Sequence, residues 1–573
     1  MVNLKINGIP VQAEEGTTII EAARKAHIDI PSLCYLKDIN CIGSCRVCVV
    51  EVKGARGLVA SCVYPVSEGL EVWTNTPQVR QSRRTTLELI VSEHHKKCLS
   101  CVRSNRCELQ KLCKDYGVDE DRFPSTDKLE PVDTTSPYII RDNNKCIHCM
   151  RCVAACNNQG IGVIGPRQRG YRKTIGCAFE MPLDASACIG CGQCIVSCPV
   201  GALSEKNHTA QVWATIGEPN KKVVFFTAPA VRATLGEEFD LPIGTNVESK
   251  LPGAIRRLGA DAAFDMNVTA DLTILEEASE LVDRIKNNKP LPMFTSCCPG
   301  WVKYAEHYYP ELLPHLSSCK SPQQMFGALL KSYYCEKNNI YPKDLFVVSV
   351  IPCTAKKFEV EREEMSGTVD VALTTRELGE MIQAAGIDFE SLPDEEFDSP
   401  FATASGAGAI FGATGGVMEA ALRTAAYMLD GDFTATDFKE VRGIKGIREA
   451  TYNVAGIDIN VAVTSGLKNA AKLCDLVKSG KAPYQFIEIM ACPGGCINGG
   501  GQPIQRDKTK NRLDIPALRA KALYDKDASM ELRKSHESPV IKMIYDEFLG
   551  TPNSEKAHEI LHTTYRKRSK YNF

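Results

Sequence analysis

Cys146, Cys149, Cys152 and Cys156 stand in the spacing C-x2-C-x2-C-x3-C, and the same spacing returns at Cys188, Cys191, Cys194 and Cys198, followed by Pro199. Chance does not produce such a pair of runs, and a chain that carries them must fold so that eight thiols converge. The first run departs from the second in one respect, having Asn157 where the second has Pro199. The cysteines are unevenly spread: 18 of the 26 precede residue 200, and the remaining eight are sparse. That change in density separates a thiol-loaded front from a larger back half.

A length of 573 residues exceeds what one hydrophobic core serves, and implies about three to five domains. Lys+Arg 68 against Asp+Glu 70 leaves a formal charge of -2, too balanced for a nucleic-acid footprint or a membrane-surface patch. The opening MVNLKINGIPVQ alternates apolar and polar residues around Asn7-Gly8, the pattern of a hairpin in the mature protein rather than of a signal peptide. No run of 18 apolar residues occurs, so no transmembrane helix is expected. The expected location is cytoplasmic, where thiols stay reduced and clustered cysteines mean metal or redox chemistry rather than disulfides.

The doubled run has the spacing of bacterial two-cluster ferredoxins, in which the fourth cysteine of each run ligates the other cluster. The expected ligand sets therefore cross: Cys146, Cys149, Cys152 with Cys198, and Cys188, Cys191, Cys194 with Cys156. Cys177 belongs to neither. Nearer the N-terminus, a hairpin, a helix-like TTIIEAARKA and a loop bearing Cys34, Cys41, Cys45, Cys48 and then Cys62 resemble the plant-type ferredoxin module, whose loop wraps a 2Fe-2S cluster. Five thiols compete for four positions. Cys34, Cys45, Cys48 and Cys62 are the expected ligands, because a C-x2-C pair and a late fourth cysteine fit that pattern; a structural zinc is the other reading. Between these groups, EHHKKCLSCVRSNRC offers His94, Cys98, Cys101 and Cys107. One imidazole and three thiolates suit zinc or an iron-sulfur cluster, and taken alone the motif favours zinc. Beside its neighbours it resembles the His-ligated 4Fe-4S site of hydrogenases and respiratory complex I, with His94 preferred to His95 by spacing and Cys113 left spare.

Four clusters in one chain make a wire for single electrons, and more than 360 residues follow it. There, VVFFTAPAVRATLGEEF, PMFTSCCPGWVKYAEHYYPEL, LFVVSVIPCTAKKFEVER and FIEIMACPGGCINGGG each read as an apolar strand, a turn rich in Pro, Gly, Cys or Ser, and a further element, which is the α/β signature. Ligands in such sheets gather outside the carboxyl ends of strands, where Cys298, Cys353, Cys492 and Cys496 all fall. Their wide separation leaves a 4Fe-4S cluster, zinc or nothing equally open. In FTSCCPGW two thiols are adjacent, and neighbouring side chains on extended backbone point to opposite faces, so Cys297 needs a task other than that of Cys298.

The segments TSCCPGW, IPCTAKKFE and EIMACPGGCINGGGQP resemble the three signatures of iron-only (FeFe) hydrogenases, and the resemblance extends over essentially all 573 residues. It implies interconversion of H2 with two protons and two electrons at an H-cluster: a 4Fe-4S cube on Cys298, Cys353, Cys492 and Cys496, with Cys496 bridging to a diiron subcluster that carries CO, cyanide and dithiolate ligands. It implies Lys356 and the backbone of Ala228, Pro229 and Ala230 at the two cyanides, Gln323, Phe411 and Met490 lining the pocket, and a proton path from Cys297 through Glu277, Ser317, Glu280 and Arg284. Glu277 and Glu280, three apart on a helix-like segment, share one face. Read alone, Lys356 is an ordinary solvated lysine and the glutamates an ordinary charged face. The glycines after Cys496 allow close approach of backbone to a cofactor. Some relatives have serine and methionine where this chain has Ala230 and Ile351, which bears on potential or oxygen sensitivity and not on reaction class.

The expected architecture is multidomain, α+β and α/β. An N-terminal β-grasp 2Fe-2S ferredoxin-like domain (1–78) is followed by a 4Fe-4S cluster domain ligated by one histidine and three cysteines (79–138). A two-cluster ferredoxin-like domain (139–208) and a large α/β catalytic H-cluster domain (209–573) complete the chain. The cofactors are then the H-cluster, one 2Fe-2S cluster and three accessory 4Fe-4S clusters. An electron-transfer subunit of a complex I-like assembly would share the front half, but has no use for EIMACPGGCINGGGQP. TAPAVRATLGEEF and AHEILHTTY are similar to catalytic subunits of NAD(P)-linked or electron-bifurcating hydrogenases, so the implied partners are ferredoxin, NAD(P)H-oxidising iron-sulfur flavoprotein subunits, and the maturation proteins that install the H-cluster. No GxGxxG follows a strand; GAGAIFGATGG near residue 410 reads as packing around the pocket.

Overall fold

The computed structural model describes the chain except residues 126–128, 430–435, 444–445, 455 and 572–573. Asn7 and Gly8 both take positive φ, 52° and 81°, which folds Val2–Ile6 back antiparallel on Ile9–Ala13. A two-residue turn with positive φ at both positions matches the twist of its strands, and Asn-Gly adopts it at little cost. This hairpin is the edge of a five-stranded sheet in the order Ile9–Ala13, Val2–Ile6, Glu71–Trp73, Val49–Val52, Val59–Ala60. The helix Ile19–Lys25 covers one face, burying Ile19, Ile20, Ala22 and Ala23.

Thr76 caps the next helix, Pro77–Ser92, accepting a bond from the Val79 amide at 3.3 Å with proline at the first turn, the arrangement that satisfies an otherwise orphaned donor. Its Leu87 and Val91 share a core with Leu109 and Leu112 of the helix Glu108–Tyr116. The two four-cysteine runs then form matched halves. Each loops through two left-handed residues before a short helix: His148 (φ 53°) and Met150 (φ 65°) precede Arg151–Asn158, and Gly190 and Gly192 (both φ 68°) precede Gln193–Ser197. Two side chains thus occupy, in the first half, backbone that costs glycine nothing.

The back half holds two four-stranded sheets. One is wholly parallel, ordered Ala262–Asp265, Lys222–Thr227, Leu345–Ile351, Val371–Thr374. Its central strands are continuous apolar runs, as strands covered on both faces require: Val223 to Phe226 and Leu345 to Val348 are buried. The other is ordered Met293–Phe294, Phe486–Met490, Ile457–Ser465, Ile447–Val454, with only the last pair antiparallel. The C-terminal segment is bound to this core by buried ion pairs, Arg519 with Glu237 at 2.6 Å and Asp527 with Arg423 at 2.9 Å. Among the described residues no helix is long and apolar enough to cross a membrane.

Candidate functional site

Four parallel strands, two from each sheet, deliver their carboxyl-terminal ends to one cavity of about 80 Å³. Lys222–Thr227 supplies Ala228, Pro229 and Ala230; Leu345–Ile351 supplies Ile351, Pro352 and Cys353; Met293–Phe294 leads to Cys297 and Cys298; Phe486–Met490 supplies Met490, Ala491, Cys492 and, beyond them, Cys496. Gln323, Lys356 and Phe411 complete the wall. Every back-half residue expected at the cofactor therefore borders one space. Cys297 and Cys298 both border this cavity. Cys298 is the N-cap of the helix Pro299–Tyr308 and keeps extended backbone, at φ -96° and ψ 103°.

The cavity is lined by apolar side chains and thiols, with Lys356 and Gln323 the exceptions. Burial pushes the Cys353 thiol up to about 12, so this donor set is neutral unless a cation takes it as thiolate. Such a set, open on the inside and dry around it, fits an iron-sulfur cube. Lys356 is no solvated lysine. Its Nζ donates to the Cys297 carbonyl at 3.1 Å and to both carboxylate oxygens of Glu359, at 3.1 and 2.8 Å. Glu359 also accepts from Ser321 Oγ (2.7 Å) and Gln323 Nε2 (3.0 Å), and Gln323 Oε1 accepts from Ser349 Oγ at 2.9 Å. Glu359 is thus the anchor that fixes two cavity residues, and sequence reading missed it. Its place three residues after Lys356, on the same helical face, was the available signal.

The glycines flanking Cys496 do more than approach the cavity. Gly495, at φ 96°, lies against backbone 412–414, and a Cβ on Gly499 would strike the Pro352 carbonyl. Gly495 and Gly499 also border the cavity, so these positions serve chain crossing and cofactor space together.

From Cys297, acidic groups lead outward. Glu277, fully buried on the helix Asn267–Lys286, accepts from Ser296 N and Ser296 Oγ at 3.4 Å each through Oε1. Its Oε2 is buried without a hydrogen-bond partner. Burial, then repulsion from Glu280, raises its carboxyl to about 8, so at neutral pH it holds a proton. Ser317 Oγ donates to Glu280 Oε2 at 2.9 Å, and Arg284 Nη2 donates to Glu280 Oε1 at 2.7 Å. Arg284 is itself held by the carbonyls of Pro290, Pro314 and Leu316. Ser317, Glu280 and Arg284 form a direct hydrogen-bonded chain. Burial first, and Glu277 second, push the Cys297 thiol up, and Ser296 stands beside Glu277 as a further polar group the sequence did not single out.

Comparison with known proteins bears on this cavity directly. Residues 221–500 match the family described as iron only hydrogenase large subunit, C-terminal domain, and 513–568 match iron hydrogenase small subunit. Over the full lengths of both proteins the chain is 45% identical to the NADP-reducing hydrogenase subunit HndD of Solidesulfovibrio fructosivorans. The chain belongs to the iron-only (FeFe) hydrogenase family. The hydrogenase is also 44% identical to Iron hydrogenase 1 of Clostridium pasteurianum, over 99% of this chain and 100% of that protein. The structure of FeFe-hydrogenase HydA1 from Chlamydomonas reinhardtii superposes with a TM-score of 0.57 at 40% identity, covering 64% of this chain and 100% of that one. A catalytic half of this kind excludes a chain that only transfers electrons.

The front of the hydrogenase matches three further families: a 2Fe-2S iron-sulfur cluster binding domain (1–77), the NADH-ubiquinone oxidoreductase-G iron-sulfur binding region (83–122) and a 4Fe-4S dicluster domain (145–202). Its cofactors are 2Fe-2S and 4Fe-4S clusters together with the H-cluster. In the first domain the thiols of Cys34 and Cys45 each accept from the other's amide, at 3.5 and 3.4 Å, and Cys62 lies in contact with Cys34 and Cys48. Cys41 is exposed, its Sγ on the Cys62 carbonyl at 2.7 Å. Cys101 and Cys107 lie near one another. His94 borders a cleft those cysteines do not line; burial lowers its pKa, and its Nδ1 is buried with no hydrogen-bond partner among the described residues.

All eight cysteines of the paired runs border one apolar cavity. Cys146, Cys149 and Cys152 have Cys198 among the thiols acting on them, and Cys188, Cys191 and Cys194 have Cys156. This second half abuts the catalytic cavity. Thr354 Oγ1 donates to the Gly190 carbonyl at 2.5 Å, Gln193 Nε2 donates to the Asn498 carbonyl at 2.9 Å, and a Cβ on Gly192 would collide with Thr354 and Gly500.

Proposed function

We propose that this hydrogenase passes electrons between external partners and its catalytic cavity through four accessory clusters carried by units bounded near residues 78, 138 and 208. The ligands are Cys34, Cys45, Cys48 and Cys62 for the 2Fe-2S cluster and His94, Cys98, Cys101 and Cys107 for the first 4Fe-4S cluster. The crossed sets, Cys146, Cys149, Cys152 with Cys198 and Cys188, Cys191, Cys194 with Cys156, hold the other two. Cys298, Cys353, Cys492 and Cys496 hold the cube of the H-cluster. Bound there, the H-cluster supplies the iron chemistry at which H2 is formed or split. The observation that carries this reading is the convergence of four distant cysteines, Cys297 and Lys356 on one dry cavity.

The chain's own residues have separable tasks. Lys356, fixed by Glu359, presents an ammonium at the cavity wall that would hold an anionic group of the bound cofactor. Ala228, Pro229, Ala230, Gln323, Phe411 and Met490 shape the space and exclude water. Cys297 gives and regains a proton at Sγ; Glu277, neutral at physiological pH, exchanges it at its carboxyl; Ser317, Glu280 and Arg284 carry it toward solvent. On this reading the last accessory cluster sits beside the cavity, which the close packing at Gly190 and Gly192 supports. We infer a cytoplasmic enzyme whose redox partners are ferredoxin or NAD(P)-linked iron-sulfur flavoprotein subunits, a reading supported by the NADP-reducing relative and the small-subunit segment.

A truncated chain beginning near residue 209, matured with its cofactor, tests the wire. It is expected to evolve H2 from a small artificial reductant and poorly from a protein donor, whereas equal rates with both donors would refute the front half as the route. Cys496→Ser in the full chain is expected to abolish hydrogen chemistry.

A further inference from the structure

Behind the proton path, Glu280, Cys319 and His562 bring a carboxylate oxygen, a thiol sulfur and an imidazole nitrogen within 4.8 Å of one another. The three come from distant parts of the chain: the helix Asn267–Lys286, the loop before Pro322–Leu329, and the end of Glu555–Leu561. We propose that they form a zinc-binding site whose occupation closes the proton path.

The imidazole is prepared for a metal. His562 Nε2 meets Glu276 Oε2 at 3.1 Å, while Glu276 also accepts from the Tyr545 hydroxyl and from the Asn553 amide. A carboxylate so placed accepts a hydrogen bond from Nε2–H and leaves Nδ1 as a lone pair, the orientation found behind metal-bound histidines. Nδ1 faces Ser318 Oγ at 2.8 Å, and Ser318 Oγ lies 3.4 Å from Glu280 Oε2. Cys319 Sγ lies 4.0 Å from the same oxygen. Ser318 Oγ thus bridges the imidazole and the carboxylate, and it turns aside when a cation takes that place.

The donor set selects the ion. One sulfur, one nitrogen and one oxygen suit a borderline-soft divalent cation and not magnesium or calcium, which want oxygen alone. Tetrahedral zinc, with bonds of about 2.0–2.3 Å, needs donors about 3.5 Å apart, so rotation of Glu280 and Cys319 closes the remaining gap. A fourth position falls to water. Access comes from Ser318 and Glu280, both partly exposed, and from His558, which is exposed and packs on His562 with ring centroids 4.0 Å apart.

Zinc on Glu280 would occupy the carboxylate that bonds Ser317, and protons would no longer pass. This effect on turnover rests on the path proposed above; the site itself does not. The test uses matured holoenzyme, wild type and Cys319→Ala, with His562→Gln as a second variant. Zinc is titrated against a chromophoric chelator, and the bound ion is examined by zinc-edge X-ray absorption. Wild type is expected to hold one zinc more than either variant, with sulfur and imidazole in its shell, and to lose turnover in zinc that leaves Cys319→Ala running. Equal zinc content and equal inhibition in wild type and both variants would overturn the site. Zinc bound through sulfur and imidazole with turnover unchanged would uphold the site and count against Glu280 as a proton carrier.

Discussion

The main-chain oxygen of Cys191 lies 3.9 Å from the Sγ of Cys492. One residue belongs to the paired cysteine runs and the other to the catalytic cavity, and 301 positions of sequence separate them. A Cβ on Gly500 would collide with the Cys191 oxygen and with Gly192, so the contact depends on two bare backbones meeting. Gly500→Ala is expected to push the halves apart, with an overpacking cost of about 1–3 kcal/mol. H2 evolution from a protein donor should fall more than evolution from a small artificial reductant. Equal effects on both donors, measured on samples of equal iron content, would show that the seam is only structural.

The proposed crossed ligand sets, with Cys156 joining Cys188, Cys191 and Cys194, predict which cluster a substitution disturbs. In Cys156→Ser, EPR of the reduced enzyme should show an altered signal from the cluster on those three cysteines, and an unaltered one from the cluster on Cys146, Cys149 and Cys152. Loss of the latter signal would reverse the assignment.

Cys297→Ser should leave iron content and the spectrum of the cube intact while turnover falls by about 10²- to 10⁴-fold, the usual contribution of a positioned proton-transfer group. A hydroxyl is far harder to deprotonate than a thiol. Cys297→Asp, which restores a titratable group, should recover part of the rate. A serine variant that runs at the wild-type rate with a full cofactor complement would remove Cys297 from the path.

Glu277 offers a pH test in which function and stability move in opposite directions. A glutamate unperturbed near 4.5 rises to about 8 in the fold, by burial first and by Glu280 second. Between those values the folded state keeps a proton that the unfolded chain has released, so this residue's contribution to stability declines as pH climbs from 4.5 to 8. Glu277→Gln removes the titration. The variant should gain stability relative to wild type across that interval, seen as a widening difference in thermal midpoint, and should lose turnover throughout. A variant that loses both would mark the carboxyl as structural.

Legibility followed the range of the encoding interaction. The hairpin at Asn7-Gly8 and the eight-cysteine repeat are written locally, in a turn dipeptide and in fixed spacings, and could be read directly. The helix that carries Glu277 and Glu280 was visible for the same reason. Cys298, Cys353, Cys492 and Cys496 have no mutual spacing; only their flanks placed them, because the geometry that unites them is the parallel register of two sheets. The role of Glu359 behind Lys356, the packing of Gly500 on Cys191, and the meeting of Cys319 with His562 left no periodic trace. Each depends on elements that become neighbours only in the finished fold.

The cavity walls also impose an order in time. On the ligand set proposed above, the cube needs Cys298 and Cys496, and the polypeptide between them must be synthesised before both are present. The segment that holds Glu237 and Arg423 in buried ion pairs comes later still, at Arg519 and Asp527. A nascent fragment that stops short of Cys496 lacks part of that ligand set, so the cavity that would hold the H-cluster is complete only late in synthesis.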